Sequence, residues 1–407
     1  MADFFQNGVV TTLHNLGTRP TDDLERELVE FSRTRPLSLV LPSLYSELQG
    51  QALEHIVGQL ADVPYLDRIV VGLDQADADQ YRQALTFFAQ LPQTTSIVWN
   101  DGPRVREIEA RLHTSGLAPD APGKGRNVWF SYGYLLAAGR PGAFALHDCD
   151  ILTYDRRMLA RLLYPVAHPT FNYQFCKGYY ARSDGDVLRG RVCRLLLTPL
   201  LRTLKNIYGP LPYLDFMDSF RYALAGEFSM RTDVIHDLRI PSDWGLEIGV
   251  LSEMHRNYTT SRVCQVDIAD TYDHKHQDLS ADDATAGLSK MSIDVAKQIF
   301  RKLATQGVVF TNESFRSIKA TYFRVALDFI ESYAADAAYN GLQVDTHGEE
   351  EAVELFARNI VDAGQAFLER PMEKPFTPSW NRVTSAFPTV LDDLRMAVEQ
   401  DRADFGA

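Results

Sequence analysis

Four stretches of the chain carry side chains whose types and spacing suit one chemistry: holding a diphosphate and a small anion beside a divalent cation. In "GAFALHDCDIL", residues 142–152, an apolar β-type run ends in Asp148 and Asp150. Side chains alternate along a strand, so this i, i+2 spacing puts both carboxylates on one side of the chain end. Hard cations such as Mg²⁺ or Mn²⁺ take oxygen ligands, often one or two carboxylates plus substrate phosphates. The alternative is a solvated strand end bearing two surface acids. "DTYDHKHQDL", residues 270–279, follows the strand-like "VCQVDIA" and offers His274 and His276 at the same spacing. An imidazole there would complete the coordination begun by Asp150, or else decorate a surface loop.

"APGKGRNVW", 121–129, opens a helix just before the Asp148 strand. Gly-Lys-Gly lets backbone approach a ligand while Lys124 offers a point charge to phosphate, although no P-loop pattern is present. Between Lys177 and Lys205 the charge reverses: Lys177, Arg182, Arg189, Arg191, Arg194, Arg202 and Lys205 face only Asp184 and Asp186. Within it, "LRGRV" sets Gly190 between arginines, a turn whose N–H groups could join Arg191 on a phosphate or carboxylate. A solvated basic helix face would account for several of these residues.

These groups need a frame. The chain has 407 residues, ordinary apolar and charged fractions of 45% and 23%, and a net charge of −13. That charge argues against general nucleic-acid or anionic-membrane partners. No apolar run reaches the roughly 18 residues of a membrane span, and the start lacks a signal-peptide pattern. Four cysteines without C-x-x-C spacing read as reduced thiols of a cytoplasmic protein. Apolar runs at 37–43, 68–74, 95–101 and 142–148 alternate with helical patterns near 47–60, 76–90, 103–112 and 125–139. That rhythm predicts an α/β fold with a mostly parallel sheet covered on both faces. Ligands of such sheets bind at the strands' carboxyl ends, which nominates Ser43, Asp74, Asp101 and Asp148. Beyond these, strands are expected near 171–181 and 262–269 and helices near 21–34, 187–206 and 245–256. The expected division is an N-terminal helical segment (1–35), an α/β domain (36–280) and a helical extension (281–407). The extension would pack on the first domain or on a second subunit, hence an expected homodimer.

Taken in order, "LVLPSLYSE", "GKG", "HDCD", "CKGYYAR", "GRVCRLLLTPLL", "ALAGEFSMR", "WGLEIGVL" and "QVDIADTYDHKH" resemble the glucosyl-3-phosphoglycerate synthases of glycosyltransferase family 81. The resemblance runs from about 36 to 280. It implies a GT-A nucleotide-sugar-binding fold with a D-x-D metal site for Mg²⁺ or Mn²⁺. It also implies retaining transfer of glucose from UDP- or GDP-glucose to the 2-hydroxyl of 3-phosphoglycerate. By the same resemblance Pro42, Ser43, Leu44, Glu47 and Asp74 contact the nucleotide, and Lys124 holds the donor. Asp150 and His274 bind the metal, with Asp148 and Cys149 beside them. Glu227 and Glu247 surround the transferred sugar, and the Leu224 carbonyl lies near the reacting centre. Gly190, Arg191, Cys193 and His276 receive the acceptor. Tyr45, "GLDQAD", Cys193 and His276 depart from the family pattern. The first two leave the base open and the last two leave phosphoglycerate against glycerate open, while glucose against mannose turns on the orientation of one hydroxyl. Two other classes compete: a sugar-1-phosphate nucleotidyltransferase, whose Gly-rich phosphate loop is missing after the first strand, and a non-catalytic nucleotide-sugar-binding protein.

Overall fold

The computed structural model describes residues 6, 8–17, 19–139, 142–274, 287–371 and 376–406. A sheet runs through the molecule: β1 (Thr11–Leu13), β2 (Leu37–Leu44), β3 (Leu66–Asp74), β4 (Thr94–Trp99), β5 (Ala143–Leu146), β6 (Phe175–Asp184), β7 (Val187–Leu188), β8 (Phe228–Arg231) and β9 (Val263–Tyr272). The spatial order is β1-β9-β6-β8-β5-β2-β3-β4, with the short β7 paired to β6. β8 opposes its sheet neighbours β5 and β6, and the short β7 opposes β6; β1, β9, β6, β5, β2, β3 and β4 share one direction. All seven therefore end on one edge, and the reversed β8 starts there.

Alternation along the strands splits the core in two. Leu37, Leu39 and Leu41 of β2 and Ile69, Val71 and Leu73 of β3 face one layer, closed by helices Thr21–Ser32, Gln51–Ala61, Ala78–Phe88 and Arg156–Ala167. Val40, Val70, Phe144 and Leu146 face the other layer, where helix Lys124–Ala137 and the C-terminal helices lie. Helices on both faces are what a parallel sheet buried on both sides requires.

The helices Gly287–Ala304, Asn312–Tyr339, Thr346–Glu369, Trp380–Ala386 and Val390–Phe405 pack on their own chain. Trp380 stacks on Trp129, with ring centroids 4.2 Å apart. Gly133 leaves the space, since a Cβ there would meet the Trp380 ring at 2.1 Å. Phe405 packs edge-on against Tyr81 and Trp99, and Arg104 pairs with Asp401 and Asp404. Most apolar stripe residues of the extension are thus buried inside one chain, while Val309, Phe323, Tyr339 and Met396 stay exposed.

Two local readings are corrected and one strand is added. The N-terminal segment adds β1 to the sheet edge beside β9. β8 was not foreseen. The single helix expected at 187–206 is instead β7, a turn at Gly190, a π-helical turn over Val192–Leu197 and a helix over Thr198–Tyr208.

Candidate active site

The shared strand ends open into a cleft with two lobes. One is lined by Pro42, Ser43 and Leu44 at the end of β2, by Glu47, Asp74 and Asp101, and by Lys124, Cys149 and Asp150. The other is lined by Arg182, Arg189, Gly190 and Arg191, by Tyr222 and Leu224, and by His274. Lys124, Asp148, Asp150, Trp244 and Glu247 border both.

At the junction Lys124 begins helix Lys124–Ala137, and its Nζ lies 2.7 Å from Asp148 and 3.1 Å from Glu247. Burial disfavours the ammonium, but the two carboxylates outweigh it and hold the lysine charged. Asp148 is pushed toward its neutral form by burial, and Lys124 pulls the other way. The glycine after Lys124 is needed for contact: a Cβ on Gly125 would stand 2.0 Å from the Pro241 carbonyl. Gly226 plays the same part across the cleft, where a Cβ would fall 2.2 Å from Asp148 Oδ2.

Asp150 meets His274 through a bridge between the two chain ends. Leu152 N–H donates to the Asp273 carbonyl at 2.9 Å, Ile151 pairs with His274, and Asp150 Oδ2 lies 3.6 Å from His274 Nδ1. Burial opposes ionisation of Asp150, yet His274 and Lys124 hold its carboxyl below the usual range. Among the described residues no three His, Cys, Asp or Glu side chains converge as a ready metal cage. A carboxylate–imidazole pair at a strand end fits a cation that completes its shell with diphosphate oxygens and water.

In the first lobe Asp74 is buried and accepts from Asn100 Nδ2 at 2.8 Å. Burial raises its pKa, offset by Asn100 and by Arg126 at 3.6 Å. The following Gln75 adopts φ +57°, rare for a residue with a side chain, and Asp101 accepts from its N–H at 2.6 Å. The "GLDQAD" departure is therefore a strained turn tied to the end of β4.

Two expected site residues do not reach the cleft. Glu227 is fully buried and accepts from Tyr180 Oη at 2.7 Å and from Tyr272 Oη at 2.8 Å, while those two rings stack 3.6 Å apart. It supports the floor and does not touch the sugar space. Cys193 is buried as well. Gly190 turns with φ +83° and the π-helical turn follows, so Arg191 and Val192 face the cleft while Cys193 points away. Burial raises the Cys193 thiol to about 11, against backbone hydrogen bonds at Leu224 and Ala223. His276 lies outside the described residues.

Other lining residues went unnoticed in the sequence. Trp244 stands at the mouth, and Leu288, Met291 and Val295 wall the arginine lobe from the first helix of the extension. Their i, i+3, i+7 spacing reads only as a core stripe. The expected boundary at 280 thus cuts through the site.

No family model matches the chain. Over 404 residues it is 44% identical to the glucosyl-3-phosphoglycerate synthase of Persephonella marina, covering 99% of this chain and 100% of that protein. It is 37% identical over 407 residues to the glucosyl-3-phosphoglycerate synthase of Methanococcoides burtonii, covering 99% of each. Among solved structures it is similar to Mycobacterium tuberculosis glucosyl-3-phosphoglycerate synthase in complex with Mn²⁺, uridine diphosphate and glucosyl-3-phosphoglycerate. That match has a TM-score of 0.52 at 19% identity and covers 74% of this chain and 90% of the other, a likeness of fold.

Proposed function

The chain belongs to the glucosyl-3-phosphoglycerate synthase family, and from that membership we propose that it transfers glucose from UDP- or GDP-glucose to the 2-hydroxyl of 3-phosphoglycerate with retention at the anomeric carbon. The observation that carries the reading is the two-lobed cleft itself. Lys124, Asp148 and Glu247 stand at the junction, between an acid-lined lobe at the ends of β2 and β3 and a lobe bearing three arginines.

Pro42, Leu44, Glu47 and Asp74 are read as the walls for the nucleoside, and Asp148 and Cys149 as neighbours of its ribose and sugar. Lys124 exchanges its carboxylate partners for the donor diphosphate and stabilises the negative charge that grows there as the glycosidic bond breaks. Asp150 and His274 would hold Mn²⁺ or Mg²⁺, which would neutralise charge on the leaving diphosphate. Glu247, released from Lys124, hydrogen-bonds the transferred glucose. Gly190 and Arg191 grip the anionic groups of phosphoglycerate, and Arg182 and Arg189 add to the positive field. This orients the 2-hydroxyl toward the face that the leaving group departs. The leaving phosphate accepts the hydroxyl proton, and the Leu224 carbonyl faces the positive charge developing on the sugar. No protein nucleophile is assigned.

None of the described helices is long and apolar enough to cross a membrane. With four unbridged, buried cysteines, the chain is read as a cytoplasmic enzyme. The test is nucleoside diphosphate release from UDP- or GDP-glucose with Mn²⁺ or Mg²⁺, with and without 3-phosphoglycerate. Release that requires both metal and 3-phosphoglycerate is expected. Release at the same rate without the acceptor overturns the assignment.

A further inference from the structure

Arg194 belongs to the basic stretch but does not line the cleft; it is 7% exposed. Its backbone N–H donates to the Gly190 carbonyl at 3.0 Å, and its Nε donates to the Arg189 carbonyl at 2.8 Å. Those two carbonyls lie just ahead of Arg191 in the turn that aims it. The far edge of the same guanidinium is held by the helical extension. Nη2 and Nη1 meet the two oxygens of Glu349 at 2.5 and 3.5 Å, and the group lies 4.8 Å over the Tyr333 ring. Glu349 is 1% exposed and sits in the first turn of helix Thr346–Glu369.

Two further contacts run between the same parts. Tyr322 Oη donates to the Leu195 carbonyl, inside the π-helical turn, at 2.6 Å. Leu188 N–H donates to the Gln343 carbonyl at 3.0 Å, which ties the hairpin before Gly190 to the extension.

A guanidinium presents its N–H groups in a fixed planar fork. Once Glu349 takes one edge, the direction of Nε is set, and with it the position of the Arg189 carbonyl. A buried ion pair is weak evidence for stability, because an apolar pair of similar volume often serves as well. Its place directly beneath the acceptor turn gives it another reason to exist.

We infer that Arg194 and Glu349 form the positioning device of the acceptor loop, so that the helical extension is a working half of 3-phosphoglycerate recognition. The inference rests on the functional reading above.

Three variants test it: Arg194→Lys, which keeps the charge and loses the fork; Glu349→Gln; and the double change Arg194→Met with Glu349→Leu, which refills the site with apolar volume. In each, KM for 3-phosphoglycerate is expected to rise about tenfold or more while KM for the nucleotide sugar stays within about twofold. Trypsin should also cut after Arg189 or Arg191 faster than in the wild type. A cooperatively folding double variant with wild-type KM for 3-phosphoglycerate overturns the inference, whatever its trypsin rate. A parallel rise in both KM values also overturns it, since a general loss of structure would do that. If the wild type itself releases no nucleoside diphosphate with 3-phosphoglycerate, the functional reading falls alone. The trypsin comparison then decides the bracing of the loop.

Discussion

Lys124 Nζ lies 2.7 Å from Asp148 and 3.1 Å from Glu247, so one cation bridges the end of β5 and the start of helix Leu246–Asn257. Two carboxylates that would otherwise repel are held across the cleft by the group assigned to the donor diphosphate. Removing it loses stabilisation of the leaving group and leaves two half-buried acids facing one another. Lys124→Met is expected to lower kcat about 10²-fold or more, the scale seen when a preorganised charge partner is deleted. Steady-state rates with saturating 3-phosphoglycerate check this, and a kcat within a factor of about three would refute the role.

Glu227 offers a sharper contrast, because the family resemblance and the geometry disagree about it. Both of its oxygens accept from tyrosine hydroxyls beneath the cleft, and burial pushes its carboxyl up. Glu227→Gln leaves one hydroxyl facing an amide N–H₂ group, at a cost of about 1–3 kcal/mol in stability. The expected signature is a lower Tm with KM for the nucleotide sugar unchanged. A selective rise in that KM would restore Glu227 to the donor site.

The parts of this molecule legible in its sequence are those that local pattern controls. β2 to β5 read correctly because strands of a doubly covered parallel sheet are continuous apolar runs, with a polar residue where each run leaves the core. Asp148, Asp150 and Lys124 followed from those ends. What was illegible depends on partners far along the chain. β8 is four residues with a serine and an arginine in it, and its reversal is set by β5 and β6 on either side. The helix Arg156–Ala167 went unread beside its internal Pro165. Whether Arg191 or Cys193 faces the ligand turns on one positive φ at Gly190. The contribution of Leu288, Met291 and Val295 needed the extension to fold back over the cleft.

His147, just ahead of the acid pair, is fully buried, and neither ring nitrogen has a hydrogen-bond partner among the described residues. Burial alone lowers its pKa to about 3. Its folded pKa is depressed below the ordinary value near 6.5, so the unfolded chain binds more protons between those limits. Stability should therefore fall as pH drops through that window, by about 3 kcal/mol between pH 6.5 and pH 4 from this residue. Urea unfolding across that range checks it against His147→Phe. The variant should lose less stability on acidification, and an identical slope in both proteins would sink the account.

Asp150, just after β5, and His274, just beyond β9, are the two protein groups proposed for the cation, and the Ile151–His274 bridge and the Leu152–Asp273 hydrogen bond join their segments. A site with so few protein donors should bind its ion weakly until the diphosphate arrives with further oxygens. Calorimetric titration with Mn²⁺ is therefore expected to give weak binding to the protein alone and much tighter binding in the presence of UDP. Chelation should abolish nucleoside diphosphate release, and added Mn²⁺ should restore it. Asp150→Ala and His274→Ala should each weaken nucleotide-dependent Mn²⁺ binding about 10- to 100-fold while leaving Tm within a few degrees. Equal Mn²⁺ affinity with and without the nucleotide would mean that the chain holds a complete metal site elsewhere, and the two residues would lose their assignment.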